Sequence, residues 1–175
     1  MYEQYIAVAV HMQEKVITGF VSLPPDMRLS DYLNGDFTGP SNSPYRFLEL
    51  DAATIFHANG TKERPDTIYI NTEAIRMLRT RKKDSARGIG ANYGAKQSPF
   101  VNKIPLRAAM RMPSYEINGY LHCKNAPGVP QLLAEDLIFL PCTDARIHNT
   151  EEDLWWDTGF VALNKKHIQS FEQYN

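Results

Sequence analysis

Apolar and polar residues alternate in short runs along most of this chain. VITGFV (16–21), RFLELDAATIF (46–56), DTIYIN (66–71), EINGYL (116–121), IFLPCTDARIH (138–148) and GFVALN (159–164) follow this pattern, and Gly, Pro, Asn and Asp separate the runs. A period of two marks half-buried strands in a mostly antiparallel sheet. It predicts strands over 5–11, 16–22, 47–57, 67–71 and 74–78, and again over 105–111, 115–123, 137–148, 159–164 and 167–172. Helix is scarce. Ser30 is a candidate cap for LSDYLN, and QLLAED (131–136) is a short helix candidate. Gly19 and Gly119 interrupt strand patterns, where a missing side chain permits a sharp bend. Asn71 and Asn164 fall between apolar pairs, a place for a tight turn because Asn tolerates the left-handed conformation.

The two sets of strands are copies of one another. DTIYINTEAIRML (66–78) lies over GFVALNKKHIQSF (159–171) without a gap, so that Ile68 meets Val161, Ile70 meets Leu163, Asn71 meets Asn164 and Ile75 meets Ile168. RFLELDAATIF lies over IFLPCTDARIH, VITGFV over EINGYL, and IAVAV over IPLRAAM. MRLSDYLNG and PGVPQLLAE keep the register between them, bringing Leu33 onto Leu133. One insertion, NGDFTGPSNSPY, separates the copies in length. Blocks in the same order argue for a duplication, each unit five short strands bent into a small barrel. The expected organisation is a first barrel over 1–78, a basic flexible linker over 79–103 and a second barrel over 104–175.

Composition narrows the classes. With 175 residues, 43% of them hydrophobic, the chain can bury a core or two small ones. A net charge of -1 gives no general pull toward nucleic acid or acidic membranes, so any such affinity has to be local. The first residues, MYEQYIAVAVHMQEK, lack a basic leader with a long apolar stretch, and no run approaches the ~20 apolar residues of a membrane helix. A soluble, cytoplasmic protein is expected. Cys123 and Cys142 alone make no disulfide framework.

With these blocks in place, each half resembles a Sm-like or Hfq-like small β-barrel. The residues that carry the likeness are GFVSLPPDMRLSDYLN, FLELDAATI and IYINTEAI in the first copy, and GYL, FLPCTDARI and VALNKKHI in the second. The phrases RLSDYLN, FLPCTDARI and FVALNKKHI also resemble an uncharacterised bacterial domain family that usually occurs as one short copy. The resemblance implies a bent five-stranded unit and assembly through barrel edges. It does not carry over the RNA pocket of that family: Ser30 stands at the Asp place before Asn34, Ala134 at the second Asn place, and the last turns read Asn71-Thr72 and Asn164-Lys165 in place of Arg-Gly.

Three groups of polar residues compete for a functional role. The basic run Arg79, Arg81, Lys82, Lys83, with Arg87, Lys96 and Tyr93, suits phosphate neutralisation and base stacking, or a partner's acidic surface; a solvated loop is the plainer account. In TEEDLWWDTG (150–159), Asp153 and Asp157 flank Trp155 and Trp156, the composition of a partner surface or of a hairpin loop with one Trp buried. His122, Cys123, Cys142 and His148 make a poor metal set, since strand neighbours point to opposite faces. No metal or cofactor is expected, and no Walker loop, dinucleotide fingerprint, nucleophile elbow or HExxH motif is present. The sequence therefore points to a non-enzymatic binding or scaffolding protein acting through protein contacts. Strand edges are available for homo-oligomers, and RNA binding through the basic run is the alternative.

Overall fold

The computed structural model describes residues 4–25, 27–35, 46–81, 103–123 and 128–174. In the front half, β1 (Gln4–His11) and β2 (Lys15–Leu23) form a hairpin, followed by the short helix α1 (Leu29–Asn34). Strand β3 (Phe47–His57), the two-residue β4 (Lys62–Glu63), β5 (Thr67–Asn71), a 3-10 turn at Thr72–Ala74 and β6 (Met77–Thr80) complete it. The back half repeats the order: β7 (Ile104–Met112), β8 (Tyr115–Cys123), α2 (Val129–Ala134), β9 (Phe139–Asn149), β10 (Leu154–Asn164), a 3-10 turn at Lys165–His167 and β11 (Ser170–Gln173).

The duplication read from apolar positions is present in the hydrogen-bond ladder. Each half has the lateral order last, first, second, third, fourth: β6-β1-β2-β3-β5 and β11-β7-β8-β9-β10. The registers match as well. Val8 faces Gly19 as Ala108 faces Gly119, and Phe47 faces Asn71 as Phe139 faces Asn164. Both second strands lose register opposite the third strand, between Thr18 and Phe20 and between Asn118 and Tyr120. At these two bulges Ala52 and Asp144 take the same left-handed φ, 47° and 46°. A bulge adds local twist and bends the sheet. Glycine is required there by close approach, since a Cβ at Gly19 would stand 2.9 Å from Asp51 O, and one at Gly119 would stand 2.5 Å from Cys142 Sγ.

Among the described residues the strands do not close into two separate barrels. The strands make one open antiparallel sheet, β11-β7-β8-β9-β10-β6-β1-β2-β3-β4, with β5 also on β3. Closing the first repeat would need the outer side of β6, and that side is already taken. β6 pairs with β10 of the other repeat, Met77 with Leu163, Leu78 with Ala162 and Arg79 with Val161. The consequence is a sheet buried on both faces at this seam. Leu78, Ala162 and Phe139 enter the core of the first repeat, while their neighbours Met77, Leu163 and Leu140 enter that of the second.

Local predictions needed adjustment where turn chemistry intervened. The last strand of each repeat starts later than its apolar pattern, because a 3-10 turn follows Asn71 and Asn164. These residues are extended (φ -60° and -67°), not left-handed. Each uses its side-chain oxygen to accept the backbone N–H two residues on, Glu73 and Lys166. Ser30 caps nothing: Arg28 occupies the cap position, and Ser30 Oγ donates to Asp31. Helix α2 starts two residues before QLLAED, with Pro130 in its first turn, where its missing N–H does no harm. The Trp pair lies in β10, not in a loop; the turn is confined to 150–153. No helix among the described residues is long and apolar enough to cross a membrane.

Candidate functional site

The polar residues singled out by composition divide between the seam and the outer face of the sheet. Arg79 is not linker. It is half-buried in β6, opposite Ala9 and Val161, and Thr80 extends the strand further. Its Nε donates to His11 Nε2 at 3.2 Å, and its guanidinium lies 5.0 Å from the Trp156 ring centroid. His11 ends β1 fully buried, edge-on to both Tyr115 and Trp156 at 5.4 Å. Since Nε2 accepts from Arg79, the neutral ring carries its proton on Nδ1, which stands 3.1 Å from the Tyr115 hydroxyl. Burial, reinforced by the Arg79 charge, holds the His11 pKa down to about 3. Burial raises that of Tyr115 and lowers that of Arg79. One residue of the basic run and one of the Trp pair, both half-buried, thus meet around the buried His11 in a cluster that joins the two repeats.

Polar groups complete the seam on either side of this cluster. Asn34, at the end of α1, donates from Nδ2 to Phe139 O at 2.9 Å and accepts from Ile138 N and Phe139 N at 3.0 and 2.8 Å. Asn164 Nδ2 donates to Ile75 O at 2.8 Å. Thr158 Oγ1 lies 3.2 Å from Thr80 Oγ1 and donates to Thr80 O at 3.0 Å. Among the described residues, no buried side-chain nitrogen or oxygen lacks a hydrogen-bond partner.

The remaining acidic-aromatic residues face outward. Trp155 is exposed and stacks on His148 at 3.9 Å, while His148 Nε2 reaches Asp153 Oδ1 at 2.9 Å. Asp157 accepts from Arg146 Nε at 3.0 Å. Alternation along β10 sends Trp155 and Asp157 to one face and Trp156 to the other, so the proposed partner surface loses Trp156. Of the basic run, Arg81 is exposed and its N–H is held by Ala7 O. Lys82, Lys83, Arg87, Tyr93 and Lys96 lie outside the described residues.

The residues weighed for metal binding are dispersed. His122 Nε2 stands 2.8 Å from Thr143 Oγ1, and Cys123 Sγ contacts Gly128 O at 3.7 Å. Cys142 is packed under Gly119, and burial pushes its thiol up to about 12. Such a thiol is a core filler rather than a nucleophile. Sequence reasoning missed His11, Tyr115 and Asn34. A signal existed for the first: a His closing the apolar run IAVAVH is a polar group headed for a core, where it needs partners.

Among the described residues three strands end the sheet, β11 on one side and, on the other, β4 and β5, both paired with β3. Among the described residues β5 pairs only with β3, and β11 only with β7. Beside the β5 edge, Phe47 and Tyr69 expose their rings on adjacent strands. Comparison with protein-family models, curated proteins and solved structures returned no match to this chain.

Proposed function

We propose that this chain is a non-enzymatic binding and scaffolding protein, built of two tandem Sm-like repeats and acting through protein–protein contacts in a cytoplasmic assembly. The observation that carries this reading is the contrast between polar groups used up inside and apolar groups displayed outside. His11, Arg79, Asn34 and Asn164 are committed to joining the repeats, whereas Phe47, Tyr69 and Trp155 stand exposed on or beside strand edges. Aromatic side chains at open edges suit strand addition, in which main-chain bonds give affinity and alternate side chains give specificity. The bulges at Gly19 and Gly119 and the turns after Asn71 and Asn164 support the Sm-like part of the reading.

The test is affinity capture from native lysate with the full chain as bait, next to Tyr69→Lys. A protein retained in stoichiometric amount by the wild type and lost by the variant is expected. Recovery of RNA alone, released by moderate salt and lost when Arg81, Lys82 and Lys83 become Ala, would replace this reading with single-strand binding.

A further inference from the structure

We infer that Asn59 is a site of spontaneous covalent modification: the backbone nitrogen of Gly60 attacks its side-chain amide, and the residue passes through a succinimide to aspartate and isoaspartate. An Asn-Gly pair hinders this attack least, because the incoming nitrogen belongs to a residue without a Cβ. The chain has three such pairs, Asn34-Gly35, Asn59-Gly60 and Asn118-Gly119. Their surroundings in the fold separate them.

At Asn34 the carboxamide is held on every side. Its Nδ2 donates to Ser30 O and Phe139 O, and its Oδ1 accepts from Ile138 N and Phe139 N, so it cannot turn without opening the seam. The Arg46 guanidinium also lies over Gly35. Asn118 has an exposed side chain, but its backbone lies within β8 between Ala109 and Arg146, and Gly119 packs against Cys142. Ring closure there would pull the peptide out of a ladder with a neighbour on each side.

Asn59 lies at the tip of the loop between β3 and β4, where both it and Gly60 are exposed. His57 N–H donates to Thr61 O and Gly60 N–H to His57 O, each at 3.0 Å. Gly60 takes a left-handed φ of 83°, the glycine that closes such a hairpin loop, and no other part of the protein stands within 4 Å of the place a Cβ would occupy. The Asn59 side chain folds back along the peptide that follows it, with Oδ1 accepting from Thr61 N at 3.0 Å and from Thr61 Oγ1 at 2.7 Å. These two donors draw electron density from Cγ and are in place to hold the oxyanion that forms as Cγ becomes tetrahedral.

The bond from Gly60 N–H to His57 O opens first, a small local cost at an exposed loop tip. Hydroxide or a buffer base takes the Gly60 proton, the Gly60 N to Asn59 Cγ bond forms, the Cγ to Nδ2 bond breaks, and ammonia leaves with a proton from solvent. Water then opens the succinimide. Addition at Cγ gives aspartate; addition at the main-chain carbonyl carbon gives isoaspartate, whose backbone runs on through Cγ. The extra main-chain carbon falls where Phe56 faces Lys62, Ile55 faces Glu63 and His57 Nε2 meets Glu63 Oε1 at 2.6 Å. Ala58 N–H donates to Glu14 O, so the change reaches the turn between β1 and β2 as well.

Peptide mapping by mass spectrometry tests this on the full chain, confirmed folded by circular dichroism and held in mildly alkaline buffer made up in heavy-oxygen water. Product at Asn59 is expected to accumulate at least about tenfold faster than at Asn34 or Asn118, with one heavy oxygen in each modified residue, because the loop tip opens more readily than the seam or the ladder. In guanidinium chloride, where only the shared dipeptide remains, the three sites are expected to react at similar rates. An Asn59 that keeps its amide in the folded chain while the denatured chain loses it, or a folded chain in which Asn34 or Asn118 reacts as fast as Asn59, would overturn the inference.

Discussion

The seam and the free edges are built from the same pieces of repeat and differ in what covers them. In β10 every residue from Val161 to Asn164 is buried, and among the described residues each buried side-chain nitrogen or oxygen has a hydrogen-bond partner. At β5 only Ile70 is buried, and β11 has no buried residue. A strand that gains a neighbour on its outer side can afford a fully apolar inner register, but every polar group it sequesters must find a partner, because a buried one left alone costs about 1–3 kcal/mol. The edges escape that demand and carry large apolar rings instead. The difference teaches that the repeats specialised at their junctions while keeping one strand order.

The sharpest way to break this comparison uses the adjacent tryptophans. Trp156→Ala, which opens the cluster of His11, Arg79 and Tyr115, is expected to lower unfolding stability by about 3 kcal/mol. Trp155→Ala, removing an exposed ring, should change it by about 0.5 kcal/mol or less. Urea titration measures both, and equal effects would deny the seam its role. Next come the bulges: Gly19→Ala and Gly119→Ala each force a Cβ into an occupied core and should cost about 1–3 kcal/mol. Unequal costs would show that one repeat bears the load of folding.

Acidity probes the seam through His11. Burial, with the Arg79 charge, holds His11 down to about 3 in the folded chain against 6.5 for a solvated histidine, so below 6.5 the unfolded chain takes up a proton that the folded chain refuses. Its contribution is full above that value and falls as pH drops toward 3, by about 2 kcal/mol at a pH of about 5. His11→Gln should flatten this slope in denaturant titrations repeated across pH. An unchanged slope would assign acid sensitivity to other groups. Among the seam substitutions the smallest effect is expected from Thr158→Val, which removes a buried hydroxyl shared with Thr80 and should cost about 1 kcal/mol by the same titration.

Much of this architecture was legible beforehand because strand alternation and residue offsets are local properties. Strands 47–57, 67–71 and 115–123 occur as the pattern predicted, and the repeat alignment is reproduced by the ladder. The alignment of Leu33 with Leu133 holds in position but not in burial: Leu33 is 2% exposed within the first core, and Leu133 is 45% exposed. Arg79 shows the same limit: its charge placed it in a solvated run, and its strand register placed it against His11.

By itself, the order of apolar and polar residues determined that this protein is two copies of a bent, mostly antiparallel unit, because a period of two and a glycine at each bend are written along the chain. Only tertiary structure decided which edges meet, whether either unit closes, and that His11, Asn34 and Trp156 hold the copies together. Strand edges present much the same hydrogen-bonding groups whatever their sequence, so their pairing is selected by the side chains that distant segments bring to the same place.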